Sequence, residues 1–202
     1  MSLRVQSLLV SPAETTDWRL GLPVLRSRRL LLREPEPADA PVVFRELCTP
    51  DVCRYVPPPP PAVEGIERMI AKGIERRRAG QAFNFGIQPA ASDELMGIIQ
   101  FVSSRNHEAR GAIPTVWELG FALSARYWGM GLLGEAAEMA LEFAFRRVGL
   151  DAVEAWVVSE NRRANRAIEK LGGVPVHKPN TQAPDGRVAD FVLWTIHDRP
   201  SS

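Results

Sequence analysis

The residues whose types and spacing point to chemistry lie between Trp117 and Asn161. The densest stretch is Arg126-Tyr127-Trp128-Gly129-Met130-Gly131, which follows the apolar segment VWELGFAL and precedes a helical apolar pattern starting at Leu132. Glycines let a backbone approach an anion closely and adopt torsions closed to other residues. A helix N-terminus adds free N–H groups and a partial positive charge, so a glycine loop opening a helix suits phosphate. Two phosphate patterns overlap here, Arg126-x-x-Gly129-x-Gly131 and Gly129-x-Gly131-x-x-Gly134. A plain strand-to-helix turn is the third reading, since isolated glycine motifs are weak signals. Upstream, Glu118 alternates with Trp117 and Leu119, which places its carboxylate on the strand face opposite theirs. That carboxylate is the candidate general base, with a solvated strand charge as the bland alternative.

The second glycine pattern is the dinucleotide fingerprint, but its context is wrong. That fingerprint normally begins its domain and is followed by several further strand–helix–strand units. Here about seventy residues remain after Gly131, with one more helix and a few strands. The acidic residue that should bind ribose about twenty positions on has no good counterpart. Asp151 precedes the next strand and Glu160 follows it on the way into a helix.

The elements that must position these residues read as follows. Leu30 to Leu32 is a short buried strand, and Asp39 with Pro41 starts a helix to about Leu47. Pro57 to Pro61 is a stiff polyproline link. Val63, Ile66, Met69, Ile70 and Ile74 form one stripe of a helix that ends near Gly80. Phe83 to Gln88 and Leu95 to Val102 read as strands of a hairpin around PAASDE. Ser103 to Pro114 is a polar loop, and Val116 to Leu123 is a strand. The helix from Leu132 carries Leu133, Ala136, Ala137, Ala140, Leu141, Ala144 and Phe145 on one face and stops at Gly149. Asp151 to Val158 is a strand, Ser159 to Leu171 a helix ended by Gly172-Gly173. Val174 to Val176 and Val188 to Ile196 are strands around the polar loop NTQAPDGR. The first twenty or so residues show no period and read as an extension or loosely packed arm. The order predicts an α/β (α+β) domain with a mixed, mostly antiparallel sheet of about six to seven strands.

Composition sets wider limits. The chain has 202 residues with 25 basic against 24 acidic, a net charge of +1. That balance argues against a general nucleic-acid or membrane-surface binder. Cys48 and Cys53 form neither a zinc set nor a disulfide framework. His107, His177 and His197 have no metal-ligand spacing, so no metal is expected. The apolar patch from Ser7 to Val10 is too short for a signal-peptide core. No run approaches eighteen apolar residues, so the expected location is cytoplasmic.

From about Pro23 to Ile196 the chain resembles the GNAT acyl-CoA N-acyltransferase superfamily, and within it the branch of ribosomal-protein N-terminal acetyltransferases. Four segments carry the resemblance: LPVLRSRRLLLREPEPADA, MGIIQFV, WELGFALSARYWGMGLLGEAAEMALEFAF and VEAWVVSENRRANRAIEKLGG. It implies an extension over residues 1–21 and one GNAT-type domain over residues 22–198, with helices on both faces of the sheet. It implies acetyl-CoA as cosubstrate and no metal. VWELGFAL and VEAWVV would splay apart, with pantetheine in the V against Phe121, Ala122 and Leu123. The loop Arg126, Tyr127, Trp128, Gly129, Met130 and Gly131 would wrap the diphosphate as a nest of backbone N–H groups. Gly134 would then be incidental. Asn161 matches the asparagine that touches the pantetheine arm, with a plain helix cap as the alternative. Glu118 matches a glutamate of similar members.

The implied reaction is transfer of an acetyl group to a primary amine by direct attack in a ternary complex. Such a transfer needs a neutral amine, a polarised carbonyl and a protonated leaving thiolate. The resemblance assigns the polarisation to backbone N–H groups around Ala122 and Leu123. It implies an amine acceptor, a small molecule or a protein N-terminus, and a monomer or homodimer. The chain departs from the family where a general acid is expected, with Ala164 in place of a serine and Ile168 in place of a tyrosine, and Gly173 replaces a phenylalanine. Those departures motivate the alternative of a catalytically impaired acyl-CoA-sensing domain of the same fold. Arg162, Arg163 and Arg166 add charge that serves either the phosphates or a solvated helix face.

Overall fold

The computed structural model of the chain describes residues 17–103 and 116–198. The first sixteen residues, with the Ser7–Val10 patch, and nearly all of the polar Ser103–Pro114 stretch lie outside the described residues. Five helices are described: α1 (Ala40–Leu47), α2 (Pro50–Cys53), α3 (Val63–Arg78), α4 (Leu132–Phe143) and α5 (Arg162–Lys170). The strands are β1 (Leu25–Arg26), β2 (Leu30–Arg33), β3 (Ala82–Pro89), β4 (Gly97–Ser103), β5 (Val116–Leu123), β6 (Ala152–Val158), β7 (Val174–Gln182) and β8 (Val188–His197).

They form one sheet in the order β1-β2-β3-β4-β5-β6-β8-β7. Every neighbouring pair is antiparallel except β5 with β6. The mixed α/β architecture is as expected, but the sheet has eight described strands rather than six to seven. The extra one is β1, a two-residue edge strand too short to show a period. The short helix α2 was also not expected. Thr49 caps it, its hydroxyl accepting from the Val52 N–H at 3.5 Å. The expected loop NTQAPDGR is shorter than supposed, because β7 runs on through Gln182. β7 is an edge strand whose side chains are mostly exposed, so no hydrophobic alternation marked it. Its prolines, Pro175 and Pro179, suit an edge, where a missing N–H costs nothing.

The two faces of the sheet carry separate clusters. On one face α4 and α5 cover Phe83, Phe85, Phe101, Trp117, Leu119, Val153 and Ala155. Phe83 is at the centre, stacked on Phe101 at 4.6 Å and edge-on to Phe143 of α4 at 5.4 Å. On the other face α1, α2 and α3 cover Leu95, Ile98 and Ala122. Of the stripe expected on α3, Ile66 and Ile70 are buried, whereas Met69 is 47% exposed. From Asp17 onward the expected extension lies on the first cluster. The Trp18 ring is 5.6 Å from Phe83 and 5.9 Å from Trp117. The buried Arg77 of α3 donates to the carbonyls of Trp18 and Arg19 and pairs with Glu34.

Candidate active site

The only parallel pair in the described sheet is also the shortest of the long ones. β5 and β6 pair at Val116↔Ala152, Trp117↔Val153 and Glu118↔Glu154, and no further. β5 continues against β4 to Leu123↔Gly97, while β6 continues against β8 to Val158↔Phe191. Residues 119–123 therefore keep a neighbour on one side only. The Ser124 N–H donates to Met96 O at 2.8 Å, which extends the β4–β5 ladder by one pair. In an antiparallel ladder the bonded residues alternate. Ala122 and Gly120 thus spend their N–H groups on β4, and those of Phe121 and Leu123 point into the gap that β6 has left. The Trp128 indole N–H closes the far end of this gap by donating to Leu123 O at 2.8 Å.

Beyond Leu123 the chain makes a 3-10 turn, Ala125–Tyr127, and then the glycine loop. Gly129 and Gly131 have φ of 80° and 73°, the left-handed region that favours glycine. A Cβ at either would meet nothing within 4 Å, so conformation and not crowding requires glycine there. Gly131 is the N-cap of α4, and no side chain caps that helix end. Its first N–H groups are left for an anion. Gly134 lies inside α4 with ordinary helical torsions. The loop is braced from outside. Arg29 donates to Met130 O at 3.2 Å and to Glu135 in the first turn of α4, which also accepts from the Ser27 hydroxyl. Arg163, from the first turn of α5, stacks its guanidinium over the Trp128 ring at 3.6 Å. Arg126 pairs with Glu46 of α1 at 2.6 Å. Tyr127 packs against the main core.

Glu118 occupies the last paired position before the gap, facing away from buried Trp117 and Leu119. Burial pushes its carboxyl above the ordinary carboxylate range, and the charges of Asp185 and Glu154 push the same way. Near the far end of β6 a cavity of about 410 Å³ is lined by Arg54, Tyr55, Val158, Ser159, Glu160, Arg187 and others. Arg187 clasps two distant segments together, donating to Tyr55 O at 2.6 Å and pairing with Asp185 at 2.7 Å.

Residues 29–174 match the family model described as an acetyltransferase (GNAT) domain. The chain belongs to the GNAT acetyltransferase family. It is 28% identical to the N-acetyltransferase p20 of Bacillus licheniformis over 180 residues, 87% of this chain and 96% of that protein. It is 31% identical to the probable N-acetyltransferase YjcK of Bacillus subtilis over 110 residues, 54% of this chain and 58% of that protein. Among solved structures it superposes with a TM-score of 0.74 on RimL, a ribosomal L7/L12 α-N-protein acetyltransferase in complex with coenzyme A. That match covers 87% of this chain and 98% of RimL at 13% identity, and so speaks for the fold. The chain is a GNAT N-acetyltransferase, and its likeness is to the ribosomal-protein branch.

Around α5 the described side chains make structural contacts. Asn161 caps α5, its side-chain oxygen accepting from Ala164 N–H at 3.2 Å. Ile168 is fully buried in the main core. Gly173 has no room for a side chain. A Cβ there would lie 2.8 Å from Ile168 Cγ2 and 3.0 Å from the Trp194 ring. Trp194 of β8 fills that space, and its indole N–H donates to Asn165 Oδ1 at 2.8 Å. Asn165 in turn holds the carbonyls of Val158 and Asn161 at 3.1 and 3.0 Å. Of the arginines read as phosphate neighbours, all four are exposed; Arg163 stacks on Trp128 of the loop and Arg126, within the loop, pairs with Glu46.

Sequence reasoning missed Glu46, Ser124, Glu154, Tyr55 and Arg187. Glu46 had a signal: it stands at helical spacing from Val42, Val43 and Leu47, on the buried face of α1. An unexplained carboxylate on an apolar stripe points to a polar partner. Tyr55 and Arg187 had none, since they are 132 residues apart.

Proposed function

We propose that the protein acetylates a primary amine with acetyl-CoA, by direct attack in a ternary complex. The observation that carries this reading is the open edge of β5, which ends in a glycine loop at an uncapped helix N-terminus. The gap offers N–H groups to the pantetheine amides. The loop from Arg126 to Gly131 offers backbone N–H groups to the diphosphate, with glycine where the torsions demand it. Asn161, whose oxygen caps α5, keeps its amide NH2 to donate to the pantetheine arm. The fit is to coenzyme A and not to a nicotinamide dinucleotide, because the third glycine of the dinucleotide fingerprint serves close helix–strand packing, whereas a Cβ at Gly134 would meet nothing within 4 Å.

Acetyl-CoA supplies an activated thioester carbonyl. Glu118 takes the proton of the attacking ammonium, through one water where the amine stands back from it. Its raised pKa brings it closer to that of an α-amino group, about 8, than an ordinary carboxylate would be. The N–H of Leu123 donates to the carbonyl oxygen as charge develops. With Ala164 and Ile168 on α5, the leaving thiolate takes its proton from water. The acceptor is a primary amine, of a protein N-terminus or of a small molecule; the former is the class named for RimL. Calorimetric titration with acetyl-CoA, and with NADH in parallel, tests the site. Micromolar acetyl-CoA binding, about 8 kcal/mol, with silence toward NADH is expected. The reverse pattern would overturn the reading, and turnover with an amine panel then separates an enzyme from a sensor.

A further inference from the structure

Of the described buried charged residues that the mechanism does not use, Asp39, Glu46 and Arg77, the second reaches toward the glycine loop. Glu46 on α1 is only 7% exposed, yet it belongs to neither the gap nor the acceptor side. Its Oε2 accepts from the Ser124 hydroxyl at 2.8 Å, and its Oε1 accepts from Arg126 at 2.6 Å and Arg45 at 3.1 Å. Burial pushes its carboxyl up, but these hydrogen bonds outweigh that and hold it below the ordinary carboxylate range. Ser124 is the hinge between β5 and the glycine loop and is 2% exposed. It is also the N-cap of the 3-10 turn, yet its hydroxyl makes no cap bond there and is committed to Glu46. Arg126 opens the Arg-x-x-Gly-x-Gly pattern. One carboxylate thus grips both residues that set where the loop leaves the strand. Ala122, Ala125 and Trp128 pack against the same helix cluster, so the grip has a rigid base.

We propose that Glu46 is a positioning residue for the diphosphate loop: it fixes the Ser124–Arg126 turn in its ligand-ready shape. The inference rests on the acetyl-CoA reading of the loop. A buried carboxylate is tolerated only when donors satisfy it, and here two of its three donors, Ser124 and Arg126, come from the turn that leads into the loop. In return the loop loses the freedom that binding would otherwise have to freeze out. The diphosphate meets backbone N–H groups already in place, while one arm of Arg126 remains held by Glu46.

The test compares acetyl-CoA with S-acetylpantetheine, which carries the same thioester and arm but no diphosphate. For Glu46→Ala we expect acetyl-CoA affinity to fall at least tenfold by calorimetry. The kcat/KM with S-acetylpantetheine should stay within twofold of wild type. Ser124→Ala should show the same selectivity with a smaller loss. Glu46→Gln keeps the shape and volume, and serves the same comparison if the alanine variant does not fold. Its acetyl-CoA affinity should fall threefold to tenfold. Equal losses on both acyl donors, or unchanged acetyl-CoA affinity in a folded variant, would overturn the inference. A wild-type protein that binds no acetyl-CoA would overturn the site reading itself, and this inference with it.

Discussion

Glu118 and Glu154 stand directly opposite each other on β5 and β6, at the last register pair before the two strands part. Burial pushes the Glu118 carboxyl above the ordinary carboxylate range, and the charges of Asp185 and of Glu154 push it the same way. A carboxylate at the mouth of the gap is thereby tuned upward by its surroundings, as the proposed base requires. Glu118→Gln should lower kcat roughly 100-fold or more, with acetyl-CoA affinity unchanged. Glu154→Gln should stay active and move the acid limb of kcat/KM to lower pH. The folded-state pKa of Glu118 is raised, so its contribution to stability is full below the unfolded value and is lost as pH rises through the folded one. Glu118→Gln should therefore melt higher than wild type at pH 7. Equal turnover by Glu118→Gln would remove it as the base.

The two overlapping glycine patterns make opposite forecasts for Gly134. It lies in the first turn of α4 with open space beside it. Gly134→Ala should stabilise the protein by about 0.5–1 kcal/mol and leave acetyl-CoA binding intact. Gly131→Ala forces a Cβ into left-handed torsions at 73°. It should cost about 1–2 kcal/mol and weaken acetyl-CoA binding at least tenfold. Thermal melts and calorimetry on the pair check both halves. A Gly134→Ala variant that lost its ligand would restore the dinucleotide pattern.

Arg163 stacks on Trp128 across the N-terminal ends of α5 and α4. Cation–π contacts at exposed sites such as this are worth about 0.5–1 kcal/mol. Arg163→Ala should lower the melting temperature by about 2–4 °C, and Arg163→Lys should recover only part of it. Exposed Arg162→Ala is the control and should leave the melting temperature unchanged.

Gly173 has no room for a side chain, with Ile168 and Trp194 against it. Gly173→Ala should destabilise by about 1–3 kcal/mol through overpacking. Pairing it with Trp194→Phe should recover part of that loss, because the ring that crowds the position is smaller. Chemical denaturation of the single and double variants measures the coupling.

Sequence alone determined what local chemistry and periodicity can encode. The bounds of β5, Val116 to Leu123, followed from a run of strand-forming residues ended by the loop. The apolar stripe of α4, the cap at Asn161 and the glycine loop were readable because each depends on neighbours a few residues away. The family followed from four short segments at characteristic spacing, and the two departures at Ala164 and Ile168 were visible as letters. Tertiary structure decided everything that depends on partners far along the chain. Only the sheet register set Glu154 against Glu118, and only the β4 ladder chose which backbone N–H groups face the gap. β7 escaped notice because an exposed edge strand needs no hydrophobic alternation. The crowding of Gly173 by Trp194 and the grip of Glu46 on Ser124 and Arg126 are contacts between elements. A periodic pattern states which face of an element is buried, but not what it is buried against. That second fact exists only once the sheet has closed and two remote side chains share one volume.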